Sequence, residues 1–167
     1  MPFTPFHFGP SLCIGLCFFR IVNIPAFFIA NIIIDIEPFS VLFFKLNYPL
    51  HGFFHSFLGG TILSLIISGV IYYYRKEINK FMSIFCLSQN ISFRSIFLGA
   101  ITGAYLHIFL DAFLYTDIKP FYPFKINPLY GMVSFSDVYL FCVIAGIIFL
   151  CLLYNKINYV KNKTIIG

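Results

Sequence analysis

The sequence predicts an all-α fold: a polytopic membrane helical bundle with about four spanning helices and a short N-terminal helix. Three observations carry that expectation. Of 167 residues, 60% are hydrophobic and only 10% charged, well outside the usage of a soluble globular chain. Four apolar runs approach or exceed the roughly 20 residues that cross a bilayer as a helix. The basic residues stand at the ends of those runs, so the net charge of +5 reads as a topology signal, and no nucleic-acid partner is expected.

Taken in order, Pro2, Pro5, Gly9 and Pro10 surround His7 and predict a turn-rich entry. A first helix over 11–19 follows, too short at roughly ten residues to span unaided. Arg20 is the first basic residue, so no cleaved signal peptide is expected. Pro25 suits the first turn of a second helix, 24–45. Asp35-Ile36-Glu37-Pro38 interrupts it: proline removes a backbone donor, and carboxylates inside an apolar run demand compensation. The third helix, 52–74, ends at Arg75-Lys76, and 77–89 reads as an amphipathic connection. The fourth helix covers 93–115. Gly99-x-x-x-Gly103 within it, and Gly59-Gly60 in the third helix, suit close helix packing. Pro120, Pro123 and Pro128 make 117–128 a loop, with Asp117 and Asp137 as loop and cap residues. A fifth helix, 135–154, precedes a basic, polar tail. The whole of 1–167 reads as a single membrane-embedded domain. The five cysteines form no C-x-x-C pair and read as small buried hydrophobes.

All four histidines lie in or beside these runs. His51 and His55 are one helical turn apart, as are His107 and Asp111, a spacing that on a helix shares one face with Cβ atoms roughly 6 Å apart. His7, Asp35 and Glu37 complete the set. Imidazole with carboxylate is the ligand chemistry of a divalent metal, zinc foremost. No lysine or arginine lies within these runs at a depth to neutralise the acids, and a divalent cation would supply that charge. Each residue also has a plainer reading. His51 can be an interfacial residue, Glu37 a solvated acid at a helix break, His7 a loop residue, and the cluster a metal-free ion network.

Thr4-Pro5-Phe6-His7-Phe8-Gly9-Pro10, the Ala30-Asn31 to Asp35-x-Glu37-Pro38 stretch, Leu50-His51-x-x-x-His55-Ser56, and His107-x-x-x-Asp111 followed by Asp117-Ile118-Lys119-Pro120-Phe121 together resemble the YdjM-like family of inner-membrane-associated, metal-dependent hydrolases. That resemblance implies a bacterial inner-membrane location. The order His, Asp, His, then His-x-x-x-Asp is more distantly similar to zinc-dependent phospholipase C and related single-strand nucleases. This implies His7, Asp35, His55, His107 and Asp111 as metal ligands, with Asp111 a candidate bridge. Those enzymes add ligands downstream, whereas this chain has no histidine after His107, so one or two zinc ions are expected. Glu37 and His51 remain for proton transfer. The expected function is metal-dependent hydrolysis of a lipid or lipid-like phosphoester near the outer leaflet, with the bilayer as partner. A cation-binding or transport protein and a non-catalytic scaffold are the alternatives.

The basic clusters generate a topological prediction. Arg75, Lys76, Lys80 and Arg94 flank one connection, and Lys156, Lys161 and Lys163 follow the last apolar run, which places both in the cytoplasm and His7 opposite. Reporter fusions after Tyr154 should report a cytoplasmic terminus; a fusion in the 75–94 connection reading as external would reverse the assignment.

Overall fold

The computed structural model describes the backbone of residues 5–89 and 91–166 and the side chains of 7–89 and 91–160. Pro2 and Thr4, part of the expected N-terminal turn and motif, lie outside the described residues. Within them the chain is helical: α1 (Pro5–Cys17), α2 (Ile24–Ile33), α3 (Ile36–Phe43), a 3-10 turn (Phe53–His55), α4 (Phe57–Tyr73), α5 (Arg75–Ser83), α6 (Phe93–Ala112) and α7 (Phe135–Ile166). No strand occurs among the described residues. Ile24–Phe43, Phe93–Ala112 and Phe135–Val160 are long and apolar enough to cross a membrane, and α4 with α5, bent by 76°, makes a fourth candidate.

The helices alternate between two ends of the bundle. α1 leads from His7 toward Arg20, α2 and α3 return, α4 descends to Arg75, α6 rises again, and α7 descends last. The contacts fix this order: Asn23 N donates to Ser95 O at 2.9 Å where α2 and α6 begin, and His7 stacks on His107 at the other end. Many large apolar side chains face outward, Ile66, Leu140, Ile147 and Leu150 among them. With lipid outside, apolar burial does little to hold the helices together; close packing and interhelical hydrogen bonds must do it. The α2–α6 seam shows both. Asn31 Nδ2 donates to Gly103 O at 3.1 Å, and a Cβ on Gly99 or Gly103 would run into backbone atoms of Asn23 or Phe27. Ala26, Ala30, Ala100, Ala104 and Ile108 fill the core beside this seam.

The structure corrects several sequence expectations. α1 starts at Pro5 and runs through Pro10, so His7 stands on a helix and not in a loop. The first helical amide needs no acceptor, and a proline one turn further in costs a single bond. The break in the second span falls at Ile34-Asp35, ahead of Pro38, which sits in the first turn of α3. A helix from Gly52 does not form. Ser56 caps α4, its Oγ accepting from Gly59 N at 3.0 Å, and leaves Phe53–His55 as a 3-10 turn, so His51 and His55 do not share a helix face. α5 (Arg75–Ser83) begins ahead of the 77–89 connection and takes up its first half. α6 stops at Ala112 because Asn127 Nδ2 donates to the Ala112 and Tyr115 carbonyls at 2.8 and 3.0 Å. The polar tail is helical: with no proline or glycine before Gly167, α7 continues to Ile166.

A branched side chain at Gly103 cannot be accommodated without separating α2 from α6. Gly103→Val should lower thermal stability in detergent by about 1–3 kcal/mol equivalent. At Gly69 a Cβ would meet no atom within 4 Å, so Gly69→Ala should leave stability unchanged or slightly higher; equal losses at both positions would refute the seam.

Candidate metal centre

Each candidate ligand is delivered by a different piece of local structure. Asp35 sits at the break between α2 and α3, where the backbone leaves regular helix (ψ −6). His55 ends the 3-10 turn ahead of α4. His107 and Asp111 lie one turn apart near the end of α6, and His7 comes from the start of α1. One ligand atom from each of Asp35, His55, His107 and Asp111 lies within 4.8 Å of all the others. His107 Nε2 is 3.3 Å from Asp111 Oδ2 and 3.4 Å from Asp35 Oδ1, and His55 Nε2 is 4.0 Å from Asp35 Oδ1. His7 Nε2 stands 3.2 Å from the other oxygen of Asp111, Oδ1. The His7 and His107 rings stack with centroids 4.5 Å apart. All these side chains are buried except Asp35, whose side chain is 21% exposed.

Proximity alone does not satisfy these atoms. His55 Nε2, both nitrogens of His107 and Asp111 Oδ1 are buried without an aligned hydrogen bond. Buried polar atoms that converge yet do not bond one another fit a shared cation between them. The outer partner of His55 strengthens the fit. Its Nδ1 lies 3.0 Å from Glu37 Oε2, and an ionised carboxylate only accepts, so Nδ1 carries the proton and the Nε2 lone pair faces the cluster. Burial holds the His55 imidazole below its ordinary pKa, against the raising effect of the Glu37 bond, which favours the neutral, ligating form.

Glu37 does more than orient His55. Its oxygens also accept from Gly52 N at 3.0 Å and Phe54 N at 3.3 Å, so it braces the whole turn. A proton carrier at this position would have to leave three hydrogen bonds. His51 stands on the far side of His55, ring centroids 4.8 Å apart, and is not among the four converging residues. Its Nδ1 is 2.9 Å from both oxygens of Asp117, and its backbone N donates to Oδ2 at 3.2 Å. The sequence reading of Asp117 as a loop residue missed this partnership, since nothing local in the sequence ties it to a histidine so far away in the chain. Tyr115 was missed as well. Its ring lies 4.5 Å from that of His51, and its hydroxyl is buried without a partner.

The bracing role of Glu37 is testable. Glu37→Ala frees the His55 ring and the 52–55 turn and should weaken zinc binding about 10–100-fold, the usual effect of losing an outer carboxylate on a ligating histidine. Competition with a chromogenic chelator measures it, and unchanged affinity would show that Glu37 serves the turn alone.

No curated protein and no solved structure matches the chain, so the likeness to phospholipase C finds no counterpart there. A family model described as YdjM inner membrane protein matches residues 5–166. That span takes in every residue of the cluster, together with Glu37, His51 and Asp117, and the chain belongs to the YdjM inner membrane protein family.

Proposed function

We propose that the protein is a membrane-embedded, metal-dependent hydrolase acting on a phosphoester of a lipid or lipid-like substrate. The observation that carries this reading is the convergence of Asp35, His55, His107 and Asp111 within 4.8 Å, with imidazole nitrogens facing inward and free of hydrogen bonds. His7, Asp35, His55, His107 and Asp111 are the ligands, a donor set that suits zinc and permits one or two ions. A divalent ion held there would polarise a phosphoryl or acyl oxygen and lower the pKa of bound water.

The chain's own residues divide the remaining work. Asp111 presents its two oxygens to different histidines, Oδ1 to His7 and Oδ2 to His107, and would be the carboxylate shared between ions if two were bound. Glu37 holds the lone pair of His55 on the cluster. His51, with Nδ1 fixed on Asp117, keeps Nε2 as the basic nitrogen and is the residue for proton transfer. The positive-inside rule puts the end of the bundle carrying these residues at the outer leaflet and the C-terminus in the cytoplasm.

Purified protein should carry zinc and cleave a phosphodiester, and Asp111→Asn and His55→Ala should each lose metal and lower activity by more than about 100-fold while the detergent-solubilised fold persists. A neutral amide is a poor partner for a divalent cation, whereas in a metal-free packing network Asp111→Asn removes a buried charge and should leave stability equal or higher. Metal bound without turnover supports the cation-binding alternative. A wild-type protein that takes up no divalent metal under any loading condition would falsify the hydrolase reading.

A further inference from the structure

Two cavities adjoin at Tyr122, one of mixed lining beside His51 and one apolar. The first, about 170 Å³, is lined by Tyr48, His51, Gly52, Phe53, Lys119 and Tyr122 among others. The second, about 520 Å³, is almost wholly apolar, with Phe57, Leu58, Phe121, Tyr122, Phe124 and Ile126 on its walls. Tyr122 lines both, so the two cavities are neighbours across its side chain. Phe57 N donates to Pro120 O at 2.9 Å, and the Phe57 and Phe121 rings lie 5.5 Å apart. These contacts tie the 117–128 loop to the start of α4 and give the groove two fixed walls.

The charges are equally specific. Lys119 is the cation lining the smaller cavity, and it has no ion-pair partner among the described residues. The nearest acid in sequence, Asp117, has both oxygens turned to the His51 ring. A group with negative charge at one end and a chain at the other matches this pairing, whereas a free polar anion leaves the groove empty. We infer that the two cavities form one seat for an anionic phospholipid, its phosphate at Lys119 beside His51 and an acyl chain along the Phe121–Ile126 groove. The inference rests on the hydrolase reading only in calling the seated lipid a substrate. His51 is the wall shared with the cluster, since its ring stands against that of His55.

The chain contains no tryptophan, so Phe121→Trp places a single indole in the groove. The protein is reconstituted in phosphatidylcholine vesicles in which a fixed share of lipid is brominated phosphatidylglycerol or brominated phosphatidylcholine. Brominated phosphatidylglycerol should quench the indole with an apparent affinity about fivefold higher. Lys119→Glu in the same background should abolish that preference, and Lys119→Arg should keep it. Lys125→Glu, on the same loop but lining neither cavity, should change it by less than about twofold. Equal quenching by both lipids with Lys119 present, or equal sensitivity to the Lys119 and Lys125 changes, would overturn the seat in favour of a general surface potential. Relief of the preference by inorganic phosphate would overturn it in favour of a soluble anion site. The measurement requires no turnover: lipid preference without hydrolysis leaves the seat and removes the hydrolase reading, while hydrolysis of a soluble phosphodiester without lipid preference does the reverse.

Discussion

The Asp111 carboxylate constrains the arrangement of everything near it. Its side chain is only 4% exposed, in a bundle whose outer surface is largely apolar. An ionised oxygen there costs several kcal/mol unless partners reach it. His107 comes from the same helix one turn earlier and faces Oδ2. The second oxygen has to be met from another element, and α1 meets it with His7. That requirement accounts for the helical start of α1, because a flexible entry would surrender the ring's position to chain entropy. It also accounts for the packing of α1 on α7, where a Cβ at Gly9 would collide with Cys142 O. Asp35 then brings a second carboxylate to the same Nε2 of His107, at 3.4 Å, and two acids this close call for a positive charge between them.

Delivering Asp35 requires a break in a span, and the α2–α6 seam makes that break tolerable. Gly99 and Gly103 let the backbones of α2 and α6 nearly touch, and Asn31 bonds across to Gly103 O. One turn beyond Asn31 the helix opens at Ile34-Asp35. The ladder there continues with tight bonds, Asp35 N to Ile32 O at 3.1 Å and Glu37 N to Ile34 O at 3.2 Å. Pro38 follows at a position where its missing N–H is not needed. The rigid seam therefore ends where the irregular backbone begins, and Asp35 projects from a fixed support into the cluster.

Much of this was legible in the sequence, for reasons specific to each residue. His107 and Asp111 fall in an uninterrupted apolar run, so helical spacing alone sets their relation, and it holds in α6. Ionisable residues in such runs are costly enough to stand out individually, which is why Asp35 and His55 stand out before their geometry is known, whereas His7, in an expected loop, enters as a ligand through the resemblance. His51 and His55 show where spacing misleads. Four residues apart suggested one helix face, but Ser56 offered a better cap, and the pair is brought together instead by a 3-10 turn braced from Glu37. Asp117 was out of reach. Its partner is 66 residues away, and only the folded loop shows that its carboxylate faces the His51 ring. The end of α7 lies beyond the expected 154 because polarity alone does not stop a helix and nothing in residues 155–166 breaks one.

Non-helical backbone near a membrane is tolerated only where its amides and carbonyls find partners within the protein, and at this end of the bundle the site's own carboxylates provide several. Glu37 accepts from Gly52 N and Phe54 N while it holds the His55 ring. Asp117 accepts from His51 N while it holds the His51 ring. Each acid thus satisfies the backbone of the 51–55 turn and fixes the imidazole that the same turn carries. The turn cannot shift without releasing both histidines, and neither histidine can rotate without exposing a carboxylate that the backbone needs. The same two carboxylates therefore both hold the connection and orient its two imidazoles. This coupling is why a segment with no regular α-helix of its own can still present His55 to the cluster in a single orientation.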